Sequence, residues 1–252
     1  MKEKIELNGE AISLRKDFGE DVDSPIDIFS LIHNNDDLTI VFYPMSNRVS
    51  GMCIKDGTNK IIGVNSTSTY GRQRFTIAHE LYHLFFHKDF KRIVCSKDFE
   101  INKDPQEREA DMFASYFLAP YEAMVYFIKN KLKKDKYQLE IEDVIRIEQY
   151  YGISRQATLW RLINDGYITR EKADTMKTGI VASAKKLGYD DKLYKPTSEE
   201  KQYATLGKYV RLAEKLKTKE LISIGKYEEL LLNGFRGDIV YGVDTEEEEK
   251  YD

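Results

Sequence analysis

The stretch FTIAHELYHLFFH, residues 75–87, constrains this chain more than any other. It sets His79 and His83 four residues apart with Glu80 between them, and its apolar Ile77, Leu81 and Leu84 recur at helical spacing. On an α-helix, residues four apart lie one turn apart on one face, so both imidazoles reach a single ion while Glu80 stands beside them. A tetrahedral zinc ion accepts such a pair. With three protein ligands it keeps a fourth position for a water whose pKa falls to about 7. A neighbouring carboxylate can take that water's proton during attack on a carbonyl, which is the chemistry of amide hydrolysis. The plainer alternative is a partly buried helix whose histidines make ordinary hydrogen bonds, and the complete His-Glu-x-x-His pattern weighs against it.

A hydrolytic site of this kind needs a third protein donor. A third histidine at HExxHxxGxxH spacing would require Gly at 86 and His at 89, where this chain has Phe86 and Asp89, and that class is excluded. A carboxylate from a later helix remains, and QEREADMFA offers Glu107, Glu109 and Asp111. Glu107 and Asp111 share a helical face, whereas Glu109 is turned about 200° from Glu107. We expect Glu107 as the third ligand and Asp111 as acceptor for the outer N–H of a ligating imidazole. The competing reading has Glu107, three residues after Asp104, closing a capping box. His87 continues the histidine series but has drifted about 80° round the helix, which makes it structural. Tyr70, Tyr116, Arg155 and Arg161 are all conceivable oxyanion stabilisers and are not ranked.

The rest of the chain supplies a scaffold. LTIVFY at 38–43, GMCIK at 51–55 and KIIGVN at 60–65 are short and rich in β-branched or aromatic residues, and Asp56-Gly57 signals a hairpin. A helix over about 70–88 follows, then a charged loop to Asp104. There DPQE opens a second helix through READMFASYFLA, which Pro120 ends or interrupts. The first 35 residues read as helical, with Ser24-Pro25 opening a helix over IDIFSLIHN. Residues 140–170 give two helices around Gly152-Ile153-Ser154, with Ser154 as cap, and YATLGKYVRLAEKL with KYEELLL gives another helical pair. The expected fold is α+β: a small antiparallel or mixed sheet packed on zincin-like metal-bearing helices, with a mostly helical C-terminal extension. The 252 residues divide into a catalytic domain at 1–170, including helix-turn-helix-like helices at 140–165, a helical extension at 171–243 and an acidic, unpacked tail at 244–252.

Charge and composition exclude other classes. The net charge of −4 resides in the tail, whose nine residues hold six acidic groups and one lysine. The near-neutral remainder gives no general reason to bind nucleic acid. KNKLKKDK at 129–136 reads as a solvated helix end or loop, and residues 141–170 balance four acidic groups with four arginines, which favours packing over DNA reading. No apolar run approaches the roughly 18 residues of a membrane span, and MKEKIELNGE lacks the apolar core of a signal peptide, so a soluble cytoplasmic protein is expected. The two cysteines, Cys53 and Cys95, are too few for a disulfide framework or an all-thiolate zinc site, and are expected to be ordinary buried or half-buried thiols.

RQRFTIAHELYHLFFH at 72–87, EREADMFASYFLAP at 107–120 and YGISRQATLWRL at 151–162, preceded by KIIGVN, together resemble the ImmA/IrrE-type metallopeptidases. The resemblance spans about residues 38–170. It implies zinc on His79, His83 and Glu107, with Glu80 as general base. It also implies an intracellular protease that cleaves or inactivates a helix-turn-helix repressor, often of a mobile element, phage or stress regulon. The chain departs from the family pattern at Tyr82, where Gly is commoner, and at Asp111, where Asn is commoner. These departures bear on substrate access and on tuning of the imidazoles. A repressor-like protein is therefore the expected partner, with zinc against manganese or iron left open by the donor set. Two rival readings are a zinc-stabilised module that sequesters a repressor without cutting it, and a DNA binder acting through 140–165.

Overall fold

The computed structural model describes residues 2–33, 35–87, 92–96 and 104–242. The chain opens with helix α1 (Lys4–Asp17), then forms strands β1 (Leu38–Tyr43), β2 (Val49–Asp56) and β3 (Asn59–Asn65), helix α2 (Tyr70–Phe86), strand β4 (Arg92–Ser96) and helix α3 (Pro105–Leu118). Helices α4 (Tyr121–Tyr126), α5 (Ile141–Tyr151), α6 (Arg155–Asn164), α7 (Arg170–Thr175) and α8 (Ile180–Lys186) follow. Strand β5 (Ala204–Gly207) then precedes α9 (Lys208–Thr218), α10 (Ile224–Asn233) and α11 (Gly237–Tyr241). The fold is α+β with a five-stranded mixed sheet and a helical C-terminal region. Among the described residues no helix is long and apolar enough to cross a membrane. The acidic stretch 244–252 lies outside the described residues.

The sheet runs β4-β2-β3-β1-β5, with β1 parallel to β3 and the other pairs antiparallel. Alternation places Leu38, Ile40, Phe42, Cys53, Ile62 and Val64 in the core, where α2 packs against β2 and β3. Almost every residue of α2 from Gly71 to Leu84 is buried, because the sheet covers one side of the helix and α3 another. Its polar residues must therefore find partners inside the protein. Gln73 donates to the carbonyls of Ser66 and Ser68, and Arg74 donates to those of Gly152 and Ile26.

Three segments differ from the sequence expectation. Residues after α1 do not form a second α-helix at Ser24-Pro25; only a 3-10 turn forms at Ser30–His33. Ile26, Ile28 and Leu31 are nevertheless buried. The carbonyls of Asp21 and Ser24 accept from the buried Arg15, and that of Ile26 accepts from Arg74, so this backbone is satisfied without helical bonds. Within the charged loop, Arg92–Ser96 forms the edge strand β4. Finally, YATLGKYVRLAEKL is split, since Ala204–Gly207 pairs with β1 and Gly207, at φ +87°, turns the chain into α9. Helices α9 and α10 build a small cluster of their own around Ala213, Tyr227 and Leu231.

The approach of β2 to α2 depends on Gly51. A Cβ there would lie 2.4 Å from Thr76 Cγ2, 2.7 Å from the Gly63 carbonyl oxygen and 3.2 Å from Glu80 Oε1. Backbone and a fully packed threonine cannot both yield, so Gly51→Ala is expected to cost about 1–3 kcal/mol of stability. Urea unfolding should show a lower midpoint at unchanged slope. An unaltered midpoint would mean that the strand and helix are not held at this separation.

Candidate metal centre

His79 and His83 project from one face of α2 with their Nε2 atoms 3.1 Å apart. From the first turn of α3, Glu107 sets Oε2 3.3 Å from His79 Nε2 and Oε1 3.3 Å from His83 Nε2. Donors about 2.0–2.1 Å from a tetrahedral ion stand about 3.3 Å from one another. The two Nε2 atoms and the Glu107 carboxylate are spaced in this way, each imidazole facing its own carboxylate oxygen. Glu107 can face the imidazoles because Asp104 caps α3 by itself, accepting from the Gln106 N–H at 3.0 Å, while Pro105 fills the first helical position. The capping-box geometry considered for Glu107 is not the one adopted.

Each imidazole is also held from behind. His79 Nδ1 lies 2.9 Å from Asp111 Oδ1, and His83 Nδ1 lies 2.9 Å from His87 Nδ1. Contacts of this kind fix the ring tautomer and leave the Nε2 lone pair facing inward. Burial opposes charge on His79, but hydrogen bonds to Asp111 and Glu107 outweigh it and raise its pKa to about 10. Burial lowers His83 and His87, with a neighbouring histidine adding to the effect on each. Burial also resists charge on Glu107, yet the two imidazoles hold its carboxyl well below the usual range.

Glu80 is fully buried beside this triangle, and neither of its carboxyl oxygens has a hydrogen-bond partner. Burial pushes its pKa up against the pull of His79. An orphaned carboxyl is costly in a core and calls for a ligand or a reacting group at that place. The nitrogen and oxygen donor set, its edge lengths and this orphan together fit a divalent ion.

Glu109 points elsewhere, accepting from the Tyr82 hydroxyl at 2.7 Å and from the Lys2 backbone N–H at 2.6 Å. Tyr82 itself is buried, packed on Phe86 and Phe113, and so fills core volume rather than a path to the site. The four oxyanion candidates have other partners. Arg155 pairs with Glu148, Arg161 donates to the carbonyls of Ser115 and Ala119 and lies over the Tyr116 ring, and Tyr70 stacks near Phe29.

One residue expected from the sequence to be an ordinary thiol lies at the cluster. Cys95, on β4, joins His79, His83 and Glu107 in a group whose ligand atoms all lie within 4.8 Å of one another. Its only local signal is the β-forming run Ile93-Val94-Cys95 inside a charged segment.

Fold and site thus define an α+β protein built around a histidine–carboxylate cluster suited to a metal ion. A family model of the M78 peptidases, the IrrE N-terminal-like domain, matches residues 36–162, half of the chain and all of the cluster. The chain belongs to this peptidase family. No curated protein matches it.

The geometry makes Glu107 and Glu109 unequal. Zinc titration against a competing chelator should show Glu107→Ala losing most of its affinity and Glu109→Ala keeping it. Asp111→Ala should bind about 10–100-fold more weakly, as expected for loss of an imidazole's outer partner. Full affinity in Glu107→Ala would remove it from the donor set.

Proposed function

We propose that this chain is a zinc-dependent endopeptidase that cuts a helix-turn-helix repressor or a similar regulatory protein inside the cell. The observation that carries the reading is the donor triangle of His79, His83 and Glu107 with the unpartnered Glu80 beside it. A zinc ion held by those three side chains supplies a Lewis acid for the scissile carbonyl and acidifies a water. Asp111 and His87 keep the two imidazoles in the required tautomers. Glu80 takes the proton of the attacking water and delivers it to the leaving amine, a role that suits a carboxyl whose pKa burial has raised. Strand β3 is central in the sheet, so an extended substrate cannot add there. The sheet edge beside the cluster is β4, and a peptide strand laid along it passes the donors.

Of the three arginines in the 140–165 helices, Arg155 and Arg161 are buried and Arg146 is exposed. That favours a packing role for this pair over nucleic-acid binding. A second reading has one observation behind it: with Cys95 near the remaining corner, the centre resembles a closed site, as in a metal-stabilised module that binds a repressor without cutting it.

The two readings separate on Glu80. Incubated with the helix-turn-helix protein encoded nearest its gene, the zinc-loaded chain should yield fragments that mass spectrometry assigns to one bond. Glu80→Gln should retain zinc and lose at least about 10²-fold in turnover. Equal turnover by that variant would refute Glu80 as base, and a stable complex with intact repressor would favour the binding module.

A further inference from the structure

The fourth corner of the donor set is approached by a side chain of the protein itself. Strand β4 pairs with β2 in a register that sets Cys95 opposite Gly51 and Ile93 opposite Cys53, with an irregularity between Val49 and Gly51. Cys95 and Cys53 are both buried, and both thiols face the Glu80 carboxyl. Because residue 51 has no side chain, nothing from β2 at that position stands between Cys95 and Glu80. Cys95 Sγ lies 4.0 Å from Glu107 Oε1. Sulfur about 2.3 Å and oxygen about 2.0 Å from one tetrahedral ion would stand about 3.5 Å apart. Measured against Glu107 the thiol is therefore about half an ångström beyond a ligating separation, and all four ligand atoms lie within 4.8 Å of one another, a spread that side-chain adjustment and movement of an edge strand can close. The fully buried Glu80, whose two oxygens have no hydrogen-bond partner, marks the same corner independently as a place built to receive something.

We propose that Cys95 is a displaceable fourth ligand that closes the metal centre at rest. The inference rests on the reading of His79, His83 and Glu107 as a metal site. On closing, the Cys95 S–H bond breaks and its proton leaves to solvent, a sulfur–metal bond forms, and the water at that corner departs. Opening reverses each change, so no oxidant or reductant is consumed. Thiolate is the form of cysteine that binds metal, and a site with four protein ligands has no position for a hydrolytic water. The peptidase would then be latent until a substrate strand along β4, or another donor, draws the sulfur away.

Cobalt(II) bound to the full-length protein in place of zinc, under reducing conditions, tests this without a substrate. The wild type should show a near-ultraviolet sulfur-to-cobalt charge-transfer band beside its visible d–d bands. Cys95→Ser should lose the first and keep the second, and Cys53→Ser should keep both. Acetohydroxamate, a small bidentate chelator, should abolish the charge-transfer band while the d–d bands persist. Should Cys95→Ser fail to fold, zinc-edge X-ray absorption of the wild type decides, with one sulfur scatterer at about 2.3 Å expected. Cobalt bound with d–d bands alone, or a charge-transfer band that survives in Cys95→Ser, would overturn the latch and leave the metal centre intact. A band unmoved by acetohydroxamate would make the sulfur a permanent ligand and also overturn it. Failure to bind cobalt or zinc at all would overturn both the latch and the metal centre beneath it.

Discussion

Burial of α2 on nearly all sides is the constraint from which the rest of the structure follows. A helix removed from water cannot leave its polar side chains to solvent, and each one becomes a demand on the surrounding chain. In its first turns Gln73 and Arg74 meet that demand with backbone carbonyls, and in doing so draw the 66–68 loop, the 26 segment and the α5–α6 turn onto the helix. Two turns later the available partners are themselves ionisable. His79 meets Asp111 and Glu107, and His83 meets Glu107 and His87. Glu80 meets only the thiols of Cys53 and Cys95, and has no partner at hydrogen-bonding distance. The same helix is thus structural at one end and chemical at the other, and the difference lies in what faces it.

Features encoded by local spacing were legible in the sequence. The four-residue interval of His79 and His83, the Asp104-Pro105 helix start and the Asp56-Gly57 hairpin all act within a few residues, and the structure forms each of those elements. Features set by distant partners were not. The segment after α1 is irregular, its carbonyls accepting from Arg15 at the end of α1 and, at Ile26, from the distant Arg74 on α2. Strands β4 and β5 have five and four residues, too few to show a period, and exist because β2 and β1 offer them an edge. Cys95 belongs to the second kind. Nothing in its spacing from His83 or Glu107 brings it to the cluster; its pairing with Gly51 does.

The zero charge balance of residues 141–170 also has a structural cause. Arg155 lies against Glu148, while Arg161 is bonded to Asp165 and to two carbonyls at the end of α3. The turn between α5 and α6 meanwhile supplies the Gly152 carbonyl to Arg74 on α2. One helix pair therefore braces both helices that carry the donor triangle, one through its turn and the other through Arg161. Such support from behind is what keeps a set of ligating side chains within a fraction of an ångström of its required geometry.

That bracing is unevenly distributed over the four corners of the site. Three donors sit on α2 and α3, which are packed on each other and fastened to the α5–α6 pair. The fourth candidate sits on a five-residue strand at the margin of the sheet, paired on one side with β2 through an irregular register. Short edge strands are the parts of a sheet that open at least cost, since few buried contacts and few ladder bonds hold them. Of the four candidate donors, the one on β4 is therefore the one held least firmly. On the proposed reading, the edge along which a substrate strand would lie is also the edge that carries the sulfur, which is why occupation of the one is expected to displace the other.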